Sequence, residues 1–299
     1  MGIETVGILS PGDMGHSVGK ALGEHGLRVI TCLRGRSDRT RTLARRAGIR
    51  DVTSLSDLVT ESDIVLSILV PAEAIGVAES VAGALGATGV DTPFADCNAI
   101  SPQSARVIDD NIGRAGGRFI DGGIIGGPPG RGTPPRFYVS GPHSGIMADL
   151  DGKGIDVRPI GDGIGRASGI KMCYAALTKG TSALHVALLS AAEALGLSEE
   201  LAAELRASQP QTYEQMAARI PSLPADAYRW IGEMEEIAST FEHAGITPRF
   251  HEGAAEVFRL LSETPFASET RETLDRGRTL SETLRAVVDL LPAEPARKG

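Results

Sequence analysis

The stretch Val6-Gly-Ile-Leu-Ser-Pro-Gly-Asp-Met-Gly15 decides how the first half of the chain folds. An apolar run leads into a turn of small residues, and we expect a helix to open at about Asp13. The template G-x-G-x-x-G is met as Ser10-x-Gly12-x-x-Gly15, with serine in place of the first glycine. Gly12 would let the backbone approach a pyrophosphate, and Gly15 would let the helix pack closely on the strand. The segment therefore predicts a turn that binds a dinucleotide.

The start of that helix would offer unbonded backbone N–H groups and a positive dipole end to a phosphate. We expect serine to be tolerated at the first position of the template if the turn spares it a positive φ. The alternative is an ordinary strand-to-helix turn whose glycines serve packing only. The candidate cofactor contacts in the turn are Ser10, Pro11, Gly12, Asp13, Met14 and Gly15.

Short apolar runs alternate with amphipathic segments through the first half of the chain. Such alternation predicts βαβ units and a mainly parallel sheet, that is, an α/β Rossmann-type domain. Helix starts are marked at Ser54 and at Ser101-Pro102, where a capping residue precedes a helical pattern. The predicted strands are Thr5–Leu9, Arg28–Leu33, Ile64–Leu69, Thr92–Cys97, Arg118–Ile120 and Phe137–Val139.

The second half of the chain reads as helical throughout. No proline occurs from Arg166 to Leu195, and apolar residues recur there at spacings of three and four, which predicts one long helix. We therefore predict a Rossmann domain over 1–163, an all-α domain over 164–292 that opens with this helix, and a disordered tail at 293–299. The predicted stripe on the helix is Ile170, Tyr174, Leu177, Thr181, Leu184, Leu188, Ala191 and Leu195.

The end of the second predicted strand indicates which cofactor is bound. A protein that binds NAD normally has Asp or Glu there, bonded to the ribose 2′-hydroxyl. In Cys32-Leu-Arg-Gly-Arg-Ser-Asp38 that acid is missing, and Arg34, Arg36 and Ser37 take its place. Guanidinium groups suit a 2′-phosphate, so we predict NADP(H) in preference to NAD(H). The alternative is that both arginines are solvated loop charges.

Composition excludes several classes of protein. A net charge of −8 and an aromatic content of 4 % argue against a partner that is a nucleic acid. Three cysteines without a CxxC pair are typical of reduced thiols in a cytoplasmic protein. No window has the apolar length of a membrane span, and the first strand leaves no room for a signal peptide. No spacing of His, Cys and Asp predicts a metal site.

Four segments, in order along the chain, together resemble the β-hydroxyacid dehydrogenase family, which includes hydroxyisobutyrate and phosphogluconate dehydrogenases. Gly7–Gly15 matches the opening signature of the family except at Ser10. The C-terminal part resembles a domain of uncharacterised phosphogluconate-dehydrogenase-like proteins, through Tyr228–Glu236 and Phe250–Ala254. The other three segments are Asp96-Cys-Asn-Ala99, Phe119-Ile-Asp-Gly-Gly-Ile-Ile-Gly-Gly127, and Gly163-Ile-Gly165 followed by Lys171.

The resemblance implies that Lys171 is the general acid/base. A lysine can take a proton from a hydroxyl near neutral pH only if burial and nearby positive charge lower its pKa. The alternative is a surface lysine, and Lys179 is the competing lysine, which we expect to be a solvated or interface charge. His251 reads as a satisfied structural histidine.

Further contacts are expected where strands end. Leu69, Val70 and Asn98 are candidate cofactor contacts, and Asn98 could equally cap a turn. Arg131, in a proline-rich loop, is a further candidate for binding a carboxylate. Three positions depart from the family, which has serine, serine and asparagine where this chain has Asn98, Ile125 and Tyr174. The candidate substrate contacts are Asn98, Ile125, Gly126, Gly127, Tyr174 and Thr178.

These observations predict an NADP-dependent dehydrogenase or reductase of a small polar substrate, a β-hydroxy acid or its keto form. A reductase of C=N bonds on the same scaffold is the closest alternative, although imine reductases usually lack the lysine. A dinucleotide sensor without catalysis is the second alternative. The family further implies a homodimer built by the long helix and the helical domain, and the stripe on that helix is also compatible with packing inside one chain.

Overall fold

The computed structural model of the chain describes residues 2–130 and 132–292. Two compact units are present, one ending at Tyr174 and the next beginning at Ala175. The division falls inside the long helix, further along the chain than the predicted boundary after residue 163. The predicted tail at 293–299 lies outside the described residues.

The first unit is built on one sheet, and its described residues form eight strands. The strands are β1 (Thr5–Leu9), β2 (Arg28–Thr31), β3 (Arg50–Asp51), β4 (Ile64–Ser67), β5 (Phe94–Asp96), β6 (Phe119–Ile125), β7 (Arg136–Ser140) and β8 (Asp156–Pro159). Their order is β3-β2-β1-β4-β5-β6-β7-β8. The first six strands run parallel, β7 runs antiparallel to β6, and β8 runs parallel to β7.

All six predicted strands are confirmed, and two further strands appear. Sequence patterning did not predict β3, because it has only two residues and both are exposed. It did not predict β8 either, because the strand has four residues, only one of them buried, and ends in a proline. The order of the first six strands is that of doubly wound dinucleotide-binding folds, in which ligands bind beyond the carboxyl ends of the strands.

Helices connect the strands of the first unit, and local capping explains where they begin. The hydroxyl of Ser54 accepts a hydrogen bond from the N–H of Asp57 at 3.1 Å, and Ser101 precedes Pro102 at the first helical position, as predicted. Apolar side chains from the helices cover both faces of the sheet. The helices are α1 (Gly15–Glu24), α2 (Asp38–Arg46), α3 (Leu55–Glu61), α4 (Ala74–Thr88) and α5 (Pro102–Arg114).

The second unit is all-helical in its described residues, which confirms the predicted fold class. Its first helix, α6 (Arg166–Ala194), begins in the first unit and matches the predicted long helix. The helices after it are α7 (Ser198–Ser208), α8 (Pro210–Arg219), α9 (Pro224–His243), α10 (Arg249–Glu263) and α11 (Leu280–Val288). No helix within the described ranges has the length and hydropathy needed to cross a membrane.

The predicted apolar stripe on α6 is not the buried face of the helix. Leu177, Leu184 and Leu195 are 68 %, 51 % and 71 % exposed, whereas Val186 and Leu189 are buried. The helix therefore has two apolar faces, and packing within the described chain buries the other one. Packing inside one chain covers this stripe only in part, since Thr181 and Leu188 are half-buried.

α6 approaches β6 very closely because β6 carries a glycine at the contact. A Cβ atom added at Gly123 would lie 2.7 Å from the carbonyl oxygen of Ala167 and 2.8 Å from the Cβ of Lys171. Real Cβ atoms essentially never make contacts this short, so any side chain at this position would push the helix away.

We expect Gly123→Ala to lower the thermal unfolding midpoint by about 3–10 °C, because overpacking costs about 1–3 kcal/mol. The control is Gly127→Ala, since a Cβ added there meets no atom within 4 Å. Differential scanning calorimetry measures both variants. Equal midpoints for the two variants would contradict the close approach of α6 to β6.

Candidate functional site

The turn after β1 places its first residue in the left-handed region. Ser10 has a φ of +55°, which corrects our expectation that this serine would avoid a positive φ. The turn needs this conformation to lead the chain from β1 into α1, and the N–H of Gly12 donates to the carbonyl oxygen of Ser10 at 2.6 Å. A serine in this region costs about 1–2 kcal/mol relative to an unstrained conformation.

Gly12 and Gly15 serve different purposes in this turn. A Cβ at Gly15 would lie 3.2 Å from the carbonyl oxygen of Ser10 and 3.5 Å from the Cγ2 of Ile8, so this glycine allows α1 to pack on β1. A Cβ at Gly12 would meet only the carbonyl oxygen of Ser10, at 3.8 Å. The open side of Gly12 and the start of α1 at Gly15 fit a phosphate group at this turn.

An ion pair joins the turn to α2. The guanidinium of Arg39 lies 2.5 Å from the carboxylate of Asp13, and the Asp13 side chain is only 19 % exposed. Asp13 brings a negative charge into a turn suited to phosphates, and Arg39 offsets it. Local sequence patterns do not reveal this pair, because 26 residues separate its members.

A cavity of about 300 Å³ lies beyond the ends of β1 and β2. Arg34 and Arg36 line it on a turn in which Gly35 has a φ of +72°. No acidic side chain within residues 2–130 and 132–292 pairs with either arginine. The other lining residues, which sequence analysis did not single out as contacts, are Leu9, Cys32, Ser54, Leu55, Val77 and Ser80.

This cavity fits an adenosine that carries a phosphate, because apolar walls lie beside two guanidinium groups. Ser37 does not line it. The Ser37 hydroxyl accepts from the N–H of Thr40 at 3.3 Å and caps α2. Ser37 therefore serves as the cap of α2, a role that its sequence context did not predict.

Asn98 is buried, and its amide is bonded to protein groups. The Nδ2 donates to Asp96 Oδ2 at 2.7 Å and to Ser67 Oγ at 2.9 Å, while Oδ1 accepts from the N–H of Leu69 at 2.6 Å. These bonds correct the expectation that the amide is available to substrate, because both of its hydrogens are already donated. Asn98 instead ties the end of β4 to the end of β5, and it holds the backbone of Leu69 beside Val70, both of which are half-buried.

The carboxyl of Asp96 lies fully inside this network. Burial raises the pKa of Asp96 to about 7, although hydrogen bonds from Asn98 oppose the rise, and the negative charge of Asp121 adds to it. Asp121 is the neighbour of Asp96 in the ladder between β5 and β6. The last residue of β5 and its neighbour inside β6 therefore hold two buried carboxyl groups side by side.

Lys171 lies on α6 where the helix meets β6. It is half-buried, and its Cβ faces Gly123. Tyr174, one helical turn further on, is 44 % exposed. Thr178 is exposed on the second unit, where its hydroxyl donates to the carbonyl oxygen of Ala175 at 3.4 Å. Lys171 and Tyr174 thus belong to the same unit as the glycine turn, while Thr178 does not.

The segment after β6 differs in part from what the sequence predicts. Ile125 is only 3 % exposed, which corrects its assignment as a substrate contact, because the side chain is covered by protein. Gly126 has a φ of +124° and lies against Pro135, whereas Gly127 is open on its Cβ side. Arg131 lies outside the described residues.

Two further expectations, both in the second unit, need correction. Lys179 is not solvated, because its amine lies 2.6 Å from the Glu233 carboxylate and 5.4 Å from the centre of the Trp230 ring. His251 is buried against Phe241, and its Nδ1 has no hydrogen-bond partner among the described residues. Burial lowers the pKa of His251, so the ring is neutral at pH 7.

No cluster of three His, Cys, Asp or Glu side chains suited to a metal ion occurs among the described residues. The first unit carries a glycine turn at the start of α1, two cationic side chains beside a cavity, and the half-buried residue Lys171 on α6. Such a set can bind a dinucleotide and exchange a proton with a ligand beside it.

Two family models match the chain. Residues 5–148 match the NAD binding domain of 6-phosphogluconate dehydrogenase. Residues 192–261 match a domain of unknown function, DUF1932. The first match covers β1 to β7 of the sheet, and the second covers part of the helical unit.

Two relatives that are 30 % and 31 % identical to this chain are themselves described as uncharacterized or of unknown function. An uncharacterized 28.5 kDa protein of Methanothermus fervidus is 31 % identical over 175 residues, which are 58 % of this chain and 66 % of that protein. This chain therefore spans just under two thirds of that relative. The solved structure of the conserved protein MTH1747, described as similar to 3-hydroxyacid dehydrogenases, is 30 % identical, with a TM-score of 0.63 over 87 % of this chain and 97 % of its own.

More distant structures share the fold. The Mycobacterium tuberculosis 3-hydroxyisobutyrate dehydrogenase, solved with L-serine, is 19 % identical, with a TM-score of 0.64 over 98 % of this chain and 100 % of its own. An imine reductase of Streptomyces aurantiacus is also 19 % identical, with a TM-score of 0.52 over 97 % and 100 %. The matched NAD-binding domain and the 30 % identical structure show that the chain belongs to the β-hydroxyacid dehydrogenase-like family of NAD(P)-dependent oxidoreductases.

Proposed function

We propose that this protein is an NADP(H)-dependent dehydrogenase or reductase of a small β-hydroxy acid or its keto form, with Lys171 as the general acid/base. The observation that carries the proposal is the placement of Lys171. Its helix meets β6 at Gly123, where the Cβ of Lys171 faces the strand, and the residue is half-buried within the unit that holds the glycine turn. Partial burial of this kind suits a lysine that gives and takes a proton.

The cofactor would be held at the edge where β1, β2 and β4 end. The turn Ser10–Gly15 and the start of α1 would bind the pyrophosphate, and the backbone at Leu69 and Val70 would face the cofactor beside it. Arg34 and Arg36 would bind the 2′-phosphate, because two guanidinium groups beside an apolar cavity match its charge. The nicotinamide, when bound, exchanges a hydride with the substrate carbon.

The protein groups near the substrate would supply the proton and the orientation. Lys171 would take the hydroxyl proton during oxidation and return it during reduction. The backbone at Gly126 and Gly127 and the phenol of Tyr174 would orient a small polar ligand. Tyr174 suits this role because it lies one turn from Lys171 and is exposed.

Reduction of a C=N bond is the second candidate, and one observation favours it. The family binds a substrate carboxylate with a serine at the position of Ile125, and that side chain is apolar and buried here. A hydroxyl for a carboxylate is therefore missing at this point. Lys171 favours the hydroxy acid, because imine reductases usually lack the lysine.

We further propose that the protein is a homodimer joined through α6. A second copy of the chain would cover the exposed apolar face that includes Leu177, Leu184 and Leu195. Isolated exposed leucines are common, but three on one helix face form the kind of patch that marks an interface.

The first test concerns Lys171. We expect Lys171→Gln to lower kcat about 10²–10⁴-fold, which is the usual contribution of general acid–base catalysis, and to leave the dissociation constant for NADPH within twofold. Stopped-flow measurement with a short 3-hydroxy acid and with a cyclic imine gives the rates, and Lys153→Gln is the control. Unchanged turnover in Lys171→Gln, or no turnover by the wild type on either substrate, would contradict the proposal.

The second test concerns cofactor choice. We expect Arg34→Ala and Arg36→Ala each to raise the dissociation constant for NADPH by about 10–100-fold, since a hydrogen bond to a charged group is worth about 1.5–3 kcal/mol. Their affinity for NADH should stay within threefold. Arg46→Ala, an exposed cation at the end of α2, is the control, and fluorescence titration gives all constants. Wild-type protein that binds NADH as tightly as NADPH would overturn this assignment.

The third test concerns the dimer. We expect the double variant Leu177→Glu/Leu184→Glu to sediment as a monomer while the wild type sediments as a dimer, because four buried charges cannot be solvated in an interface. Ala203→Glu, on the exposed face of α7, should not change the sedimentation coefficient. A monomeric wild type at micromolar concentration would refute the interface.

A further inference from the structure

The carboxylate of Asp121 on β6 binds the first turn of α6. Asp121 is buried, and its Oδ2 accepts from the N–H of Gly165 at 2.8 Å and from that of Ala167 at 3.0 Å. Its Oδ1 accepts from the N–H of Ser168 at 3.2 Å and from the Ser168 hydroxyl. The Ser140 hydroxyl on β7 adds a further bond to Oδ2, at 2.8 Å.

Helices usually obtain such bonds from a residue just before their first turn. The residue before α6 is Gly165, which has no side chain to serve as a cap and a φ of +94°. A strand residue 44 positions earlier therefore supplies the acceptor. The positive end of the helix dipole and the N–H donors compensate the buried negative charge.

The same contact fixes the position of Lys171. Lys171 follows Ala167 and Ser168 by four and three residues, so it lies on the helix face that Asp121 binds. Gly123, which touches the Cβ of Lys171, follows Asp121 by two residues and lies on the same face of β6. β6 and α6 are thus in contact along one line. Asp121 binds the first turn of the helix, and Lys171 lies about one turn further along the helix.

We propose that Asp121 is a positioning residue for Lys171, which holds the lysine against β6 and supplies a negative charge near its amine. This inference rests on the proposed role of Lys171 as the acid/base. The other buried carboxyl at this edge, Asp96, bonds Asn98 and not α6. Asp121 is therefore the acidic group that links the sheet to the catalytic helix.

The charge of Asp121 stabilises the protonated amine. A unit charge about one helical turn away changes the protonation midpoint of a half-buried group by about one pH unit. Removing the charge, with the shape of the side chain kept, should therefore release the proton of Lys171 at lower pH. A residue that only stabilises the fold has no such effect.

The test compares Asp121→Asn with Ser140→Ala. The asparagine removes the charge. The alanine removes the hydrogen bond from Ser140 to the carboxylate and the bond that Ser140 accepts from the N–H of Ala167, but it keeps the charge. The readout is the pH dependence of reductive methylation of Lys171, followed by mass spectrometry of the folded full-length chain. This readout needs no substrate.

We expect the labelling midpoint of Lys171 to fall by about one pH unit in Asp121→Asn and to stay within 0.2 pH unit of the wild type in Ser140→Ala. We also expect kcat to fall at least tenfold in Asp121→Asn because α6 and Lys171 are held less firmly against β6, although the lower midpoint by itself does not slow the reaction. The dissociation constant for NADPH should stay within twofold. An unchanged midpoint in Asp121→Asn overturns the proposal.

Two further variants, Ser168→Ala and Lys171→Gln, cover the cases in which Asp121→Asn does not fold or Lys171 is not the acid/base. If Asp121→Asn does not fold, Ser168→Ala takes its place. We expect the labelling rate of Lys171 to change at least threefold in this variant, because α6 is held less firmly against β6. An unchanged rate counts against the proposal. If Lys171→Gln is fully active while the midpoint still moves in Asp121→Asn, the proposed function fails and the link between Asp121 and Lys171 stands.

Discussion

The bond between a strand carboxylate and the start of the long helix organises the first unit. Asp121 accepts hydrogen bonds from the N–H groups at the start of α6, which have no partner inside the helix. The preceding residue is a glycine and has no side chain that could cap them. A buried carboxylate is costly unless donors surround it, and here the helix and the Ser140 hydroxyl provide them. Gly123 then lets the helix rest directly on β6, and the position of Lys171 follows from both contacts.

The cofactor half of the site is held together in a comparable way. Asn98 bonds the ends of β4 and β5 and holds the backbone at Leu69 in place. Arg39 ties α2 to the glycine turn. These side chains act mainly on other protein groups, and the surfaces left open are the Gly12 side of the turn and the cavity beside Arg34 and Arg36. Rigid supports behind an open edge are typical of preformed cofactor sites.

The sequence predicts those parts of the molecule whose signals are local. The glycine turn, the six longer strands and α6 each carry their pattern within a few residues, and each was placed correctly. β3 was missed because two exposed residues carry no apolar pattern. A left-handed serine is also invisible to patterning, because the path of the chain after β1 imposes the positive φ of Ser10.

Side-chain roles depend on distant partners and were harder to predict. The amide of Asn98 is bonded to Ser67 and Leu69, about 30 residues away, and the burial of Ile125 depends on how the surrounding chain packs. Asp121 lies inside a family signature, yet its partners at the start of α6 lie more than 40 residues further along. An acidic residue in a buried strand is the one sequence signal that could have directed attention to it.

The ion pair between Asp13 and Arg39 has a consequence for how coenzyme approaches the protein. Arg39 already neutralises the negative charge of Asp13, so the acid in the turn repels an incoming pyrophosphate only weakly. Under the proposed function, the attraction would come from the helix dipole and from the two arginines beside the cavity. If α2 moved away from the turn, Asp13 would lose its partner, and its charge would repel the incoming phosphates.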